Sequence, residues 1–288
     1  MKVTVLGFGG AEIGIEGAAY PSVEILLNSA LDAGMNAVDT AECYETSEEM
    51  IGKAIGQRRR DFFLFTKCGH ASGFDLPDWN PRMLEMQIER SLQRLRVEYV
   101  DLLQIHSCSQ ALLEQGEVIE VVQNAKASGK TRFIGYSGDG TNAAYAIQTG
   151  VFDVLQTSVN IADQQVLDRV LPLAVERNMG VIAKRPIANA AWKTGKQPVD
   201  AYHHEYWRRL EELQYGFLQG DLPNAVSTAL RFTLAQPGVT TAIVGTANPK
   251  RWAENARMLD TEPLDPVQIQ AIRDRWRAVA KPDWVGQN

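Results

Sequence analysis

Asp39, Tyr44, Lys67 and His106 stand at, or a few residues beyond, the ends of short apolar runs in a chain of 288 residues. An unperturbed phenol titrates near ~10 and gives up its proton reluctantly at neutral pH. An ammonium beside it favours the phenolate and lowers that value, and a carboxylate keeps the lysine charged and oriented. A histidine alongside hydrogen-bonds a carbonyl oxygen. Together the set suits delivery of a proton to an oxygen that gains negative charge, as on a carbonyl being reduced. It offers no nucleophile for acyl transfer and no metal-ligand spacing. The hydride for such a reduction has to come from a cofactor, because side chains carry none. Each residue alone has a plainer explanation: Asp39-Thr40 as a helix N-cap, Lys67 as a snorkelling surface lysine, His106 as a core histidine, Tyr44 as packing. Four different titratable types at adjacent strand ends are harder to assign to packing.

The elements that must place them read as strands at Val3–Gly7, Ala37–Asp39, Phe62–Lys67, Val100–His106, Thr131–Ser137, Val154–Ser158, Gly180–Lys184 and Thr240–Gly245. Most are apolar on nearly every residue, the pattern of strands buried on both faces of a parallel sheet. Helical segments separate them. Asn80-Pro81 opens one that carries Leu84, Ile88, Leu92 and Leu95; a second runs from Leu112 to Ala125 and stops at Ser128-Gly129; Pro172 splits or opens a third. His203–Leu218 lacks proline and is expected to be partly helical. An open dinucleotide-binding sheet needs G-x-G-x-x-G with an acidic residue about 20 positions on. Gly7-Phe8-Gly9-Gly10 does not have that spacing. The expectation is one (β/α)8 TIM barrel, a single domain over residues 1–288. Strand-to-helix loops then gather at one mouth, where Phe74, Trp79 and Trp192 are candidates to line a substrate pocket.

The chain carries 29 Lys+Arg against 35 Asp+Glu, a net charge of -6, with 45% hydrophobic and 22% charged residues. That is a globular composition without a basic footprint for nucleic acid. No apolar run approaches the ~20 residues that cross a bilayer. Cys43, Cys68 and Cys108 make no disulfide framework, which points to a reducing cytoplasm. All three lie beside the strand-end residues, so blocking a thiol is expected to inhibit, and no metal is expected there.

At these residues the sequence resembles the aldo-keto reductase family. Asp39-Thr40-Ala41-Glu42-Cys43-Tyr44 matches its D-T-A-x-x-Y turn, Thr66-Lys67 ends Phe-Leu-Phe-Thr-Lys, and Asp101-Leu102-Leu103-Gln104-Ile105-His106 matches the strand that ends in the family's histidine. The resemblance implies Tyr44 as general acid, Lys67 lowering its pKa, Asp39 paired with Lys67, and His106 orienting the carbonyl. It also implies a barrel that binds NADP(H) in extended form. Ser137 and Gln156 would hold the carboxamide, Gly138 standing where relatives have Asn, and Asn160 follows the same sixth-strand pattern. Ala183-Lys184-Arg185-Pro186 occupies the position of a stacking Tyr, so Lys184 and Arg185 join the cofactor candidates with Gly9 and Gly10. Gly245, Thr246, Asn248, Arg251, Glu254 and Asn255 resemble the adenosine-phosphate site, with Gly245 in place of a lysine and Arg251 able to fork onto a phosphate. NADP(H) is the expected cofactor, with NAD(H) as an alternative, and a small carbonyl compound the expected substrate. The alternatives are an NADPH-binding regulatory subunit and a Schiff-base aldolase acting through Lys67. Relatives close the barrel bottom with an N-terminal hairpin that is missing or truncated here, so either other residues, the C-terminal segment among the candidates, plug that end or it is exposed and meets a partner. The oligomeric state stays open.

Overall fold

The computed structural model describes residues 1–287. Eight strands form a closed barrel: β1 Leu6–Gly9, β2 Ala37–Asp39, β3 Phe63–Cys68, β4 Val100–His106, β5 Thr131–Ser137, β6 Val154–Ser158, β7 Gly180–Lys184 and β8 Thr241–Gly245. Every neighbour pair is parallel, and β8 closes on β1 with Gly9 opposite Gly245. Helices alternate with the strands, which makes this the expected (β/α)8 barrel.

Seven strands begin and end within one residue of expectation, and the first does not. It starts at Leu6 rather than Val3, because the Thr4 amide is taken by Asn36 Oδ1 at 2.7 Å and pairing with β8 begins at Leu6 opposite Ala242. The helix Pro81–Leu95 is capped by Asn80, whose side chain accepts from the Met83 amide at 3.2 Å. The segment read as one helix from Leu112 is two, Gln110–Gln115 and Glu117–Ala127, parted by Gly116 at φ 84°. Pro172 opens Leu171–Glu176 after the separate helix Gln165–Arg169. The helix beginning at His204 stops at Leu213, where Gln214 turns left-handed.

Side chains alternate across each strand, so the barrel interior is built in layers. Ala37, Phe65, Leu102, Val154, Ile182 and Ile243 form an apolar plug. Two residues further along the same strands come Asp39, Lys67, Gln104, Gln156, Lys184 and Gly245. The polar layer therefore rests directly on a dry one, at the C-terminal mouth. Gly135 makes room in it, since a β-carbon there would lie 3.1 Å from Gln104 Cγ and 2.9 Å from the Val154 carbonyl.

At the opposite end a cavity of about 650 Å³ is lined by Met1, Val3, Phe65, Leu102, Phe133 and Thr241, among others. No strand precedes β1 among the described residues. The C-terminal segment does not plug this end, contrary to one of the expectations above. Trp284 is buried against Trp276, and Gly286 packs on Asp139, just beyond β5, so this segment lies on the mouth side instead. Among the described residues no helix is long and apolar enough to cross a membrane.

Candidate active site

The turn after β2 continues the strand ladder before it leaves it. Thr40 and Glu42 donate their amides to the carbonyls of Phe65 and Lys67 at 2.9 and 3.0 Å. Ser47 then ties the turn to β1, its hydroxyl 2.8 Å from Thr40 Oγ1 and donating to the Gly10 carbonyl at 2.7 Å. Buried Glu42 accepts from Gln87 at 2.9 Å and from Arg94 at 3.0 Å, and also pairs with Arg90. This clamps the turn to the helix Pro81–Leu95. Gly14, on the helix Ala11–Ile15, packs its α-carbon on the Tyr44 carbonyl, where a β-carbon would collide. Gly14→Ala is expected to lower unfolding free energy by about 1–3 kcal/mol, the range for forced overpacking. Urea denaturation checks this, and a variant as stable as the parent would show that the turn yields freely.

The structure brings the four strand-end residues together. Lys67, 1% exposed, donates to Asp39 Oδ2 at 2.5 Å and to the Thr40 carbonyl at 2.7 Å. Asp39 Oδ1 accepts from Gln156 at 2.9 Å and from Gln104 at 3.2 Å, and Ser137 donates to Gln156 Oε1 at 3.1 Å. Lys67 Nζ lies 5.1 Å from the centre of the Tyr44 ring, and that ring meets His106 edge-on at 5.8 Å. Burial pushes the Tyr44 phenol well above its usual value, and the negative charge of Asp39 adds to the rise. The sign is opposite to the lowering expected from Lys67, whose charge is committed to Asp39. Burial pushes His106 down, helped by the positive charges of Lys67, Lys184 and Arg185. The mouth thus holds a neutral phenol beside a neutral imidazole, above a buried ion pair.

His106 is held from several sides. Its Nδ1 lies 3.6 Å from Cys43 Sγ, Trp79 donates its indole N–H to the His106 carbonyl at 2.8 Å, and His70 meets its ring at 4.8 Å. Trp79 is therefore beside the four residues. Phe74 faces the guanidinium of Arg90 at 3.8 Å. Trp192 packs against a second apolar cluster around Tyr206 and Ala188. The thiols are poorly disposed to react: burial pushes Cys43 up to about 11 and Cys68 and Cys108 up to about 12. Only Cys43 is partly exposed.

The residues set against a cofactor divide into two groups. Ser137 and Gln156 belong to the polar layer around Asp39. Asn160 is buried, with Nδ2 unpartnered. Lys184 pairs with Asp139 at 2.9 Å, while Arg185 donates to Ser158 at 2.8 Å and to Tyr202 at 2.7 Å. Asp139 also accepts from Thr157 at 2.8 Å and from the Ser158 amide at 2.7 Å. Burial pushes its carboxyl up, but Lys184 and Arg185 outweigh that and hold it below the usual range. Gly10 is required by packing, since a β-carbon would come within 2.8 Å of Ser47 Oγ, whereas Gly9 meets nothing closer than 3.4 Å. In the turn after β8, Thr246 accepts from the Asn248 amide at 3.0 Å, Arg251 pairs with Glu254 at 3.3 Å, and Asn255 is buried.

Gly138 has a structural reason. A β-carbon there would lie 2.6 Å from the Tyr136 hydroxyl, which itself donates to the Cys108 carbonyl at 2.5 Å, so no side chain fits. Sequence reading missed Gln104, His70 and Asp139 as parts of the site. Gln104, a polar residue inside the apolar run Leu102–Ile105, was the one available signal.

A family model described as the aldo/keto reductase family matches residues 5–277. An uncharacterised oxidoreductase of Bacillus subtilis is 27% identical over 296 residues, covering 95% of this chain and 92% of that protein. L-galactose dehydrogenase of Arabidopsis thaliana is 27% identical over 310 residues, covering 100% of this chain and 96% of that one. Among solved structures, the holo form of an aldo-keto reductase from Bacillus halodurans superposes with a TM-score of 0.82 at 23% identity, over 98% of this chain and 95% of the other. An aldo/keto reductase from Klebsiella pneumoniae in complex with NADP and acetate gives 0.74 at 22% identity, over 98% and 93%. At these identities the structural likeness speaks to the fold.

Proposed function

The chain belongs to the aldo-keto reductase family and is an oxidoreductase, and from that premise we propose that it reduces a small carbonyl compound to an alcohol with NADP(H), with Tyr44 as the general acid. The observation that carries this reading is the neutral Tyr44–His106 pair standing over the buried Lys67–Asp39 ion pair in the barrel mouth. The residues present suit the cofactor. Asn160 Nδ2, in the turn after β6, is a buried donor without a protein partner, which matches a ligand that offers a hydrogen-bond acceptor there. Ser137 and Gln156 would hold its carboxamide, and Thr246, Asn248 and Arg251 its adenosine phosphates. Bound there, the reduced nicotinamide supplies the hydride that side chains cannot.

The chain's own residues do the rest. His106, kept neutral, donates a hydrogen bond from one ring nitrogen to the substrate carbonyl oxygen and fixes its direction. Tyr44, kept protonated by burial, gives its proton to that oxygen as negative charge develops. Lys67, held by Asp39 and Thr40, keeps a fixed positive charge next to the ring that must become a phenolate. Gln104 and Gln156 keep Asp39 in place from the other side. The same ion pair disfavours an imine-forming role for Lys67, because an ammonium paired with a carboxylate is no nucleophile.

The test mixes the protein with NADPH and a reactive aldehyde in a single turnover and follows the nicotinamide absorbance. Oxidation of the bound nucleotide is expected, with alcohol formed in equal amount. Binding without oxidation across an aldehyde and sugar panel would favour the regulatory alternative instead.

A further inference from the structure

Glu12 has no part in the chemistry above, yet its carboxyl reaches into the mouth. It lies on the helix Ala11–Ile15, which leaves β1 directly. Along β8, Ile243 faces the barrel interior and Val244 the surrounding helices, so the next residue, Gly245, faces inward again. A β-carbon added to Gly245 would collide with the Glu12 carboxyl. Glu12 therefore covers the inner side of Gly245, at the end of β8 and next to the turn that carries Thr246 and Asn248, where the proposed cofactor's phosphates would lie.

We infer that Glu12 takes up a proton when the nucleotide's phosphates enter the mouth between β1 and β8, so that nucleotide binding is coupled to protonation of this carboxyl. The inference rests on the NADP(H) reading. A carboxylate facing a phosphate repels it, whereas a carboxylic acid donates a hydrogen bond to it. The proton comes from solvent, and no other bond changes.

The surroundings favour this exchange. Among the described residues Glu12 forms no ion pair. Glu16, which caps the same short helix, is of like sign. From the segment after β7, His203 lies in the field of Glu16 and Lys193. On the packed helix Ser47–Ile55, Glu48 accepts from Thr66 at 2.6 Å, and Lys53 sits over the Tyr20 ring. Beyond β8, Arg251 is engaged by Glu254. With no cation to hold its charge, burial pushes Glu12 up to about 7, its own backbone amide opposing and Glu16 assisting the rise. The protonated form is thus accessible near neutral pH.

The sign follows. Below about pH 7 the free protein already carries the proton and binding is insensitive to pH; above it, each unit weakens binding by up to about tenfold. NADPH is titrated into the protein by tryptophan fluorescence between about pH 7 and about pH 9, where its 2′-phosphate stays ionised. The wild type should lose at least about tenfold in affinity across that range, while Glu12→Gln stays flat and binds more tightly at the alkaline end. Calorimetry at about pH 8 in two buffers of different ionisation enthalpy should show roughly one proton taken up per nucleotide by the wild type and almost none by the variant. Glu12→Ala gives the same flat profile if the glutamine variant folds poorly. Glu48 and Asp163 are also pushed up to about 7 by burial, so the comparison between wild type and variant carries the test. Parallel profiles without differential proton uptake would overturn the inference alone. Failure of wild type and variants to bind NADPH at any pH would overturn the cofactor reading beneath it as well.

Discussion

Tyr44→Phe should bind NADPH as the wild type does and turn over at least about a hundredfold more slowly, the loss expected when a general acid is removed. The substitution deletes one oxygen. Neither Lys67 nor His106 hydrogen-bonds to the Tyr44 hydroxyl, and the ring's edge contact with His106 survives in phenylalanine. Stability should stay within about 0.5 kcal/mol of wild type, as for a substitution that removes no buried bond. The phenol, raised by burial and by Asp39, stays protonated through the neutral range. Deprotonation of Tyr44 should therefore cause no fall in wild-type turnover between about pH 6 and about pH 8, well below an ordinary phenol's value. Steady-state kinetics beside a fluorescence titration of the nucleotide measure both quantities. A variant that keeps full turnover would remove Tyr44 from the proton transfer.

Asp39→Asn should damage both fold and activity. Asp39 accepts at Oδ2 from Lys67 and at Oδ1 from Gln104 and Gln156, and both charged partners are 1% exposed. Asparagine turns one acceptor oxygen into a donor facing donors, and leaves the Lys67 ammonium buried without a counter-charge. Breaking one side of a buried pair costs about 3–5 kcal/mol, enough to bring a domain of ordinary stability close to unfolding. The expected result is a large drop in the urea midpoint with little change in slope. Adding Lys67→Met should recover part of the loss while leaving the protein inactive, because the lone charge is then gone. If Asp39→Asn were as stable as wild type, the ion pair would be solvated and the polar layer wet.

The strand order and the four strand-end residues were readable because both depend on local pattern. Runs apolar on nearly every residue announce strands buried on both faces, and a charged residue ending such a run can only lie at a mouth. The start of β1 was misplaced because Val3 and Val5 look like strand, while Asn36, far along the chain, captures the Thr4 amide. Asp139 was missed because its partners Ser158 and Lys184 come from the following two strands. The reason for Gly138, where relatives have Asn, was likewise out of reach, because it is the ring of Tyr136 packed against it.

Residue types and alternation along the chain thus determined which chemical groups meet at the barrel mouth, since a parallel barrel sends every strand end to the same place. The protonation states of those groups were decided only by the tertiary structure. Counting charges along the chain put Lys67 beside Tyr44 and implied a more acidic phenol. Packing gave that charge to Asp39, half-buried the ring, and reversed the sign. It also left Glu12 over Gly245 without a cation. Desolvation and pairing depend on which distant side chains close around a group, and no local pattern encodes that.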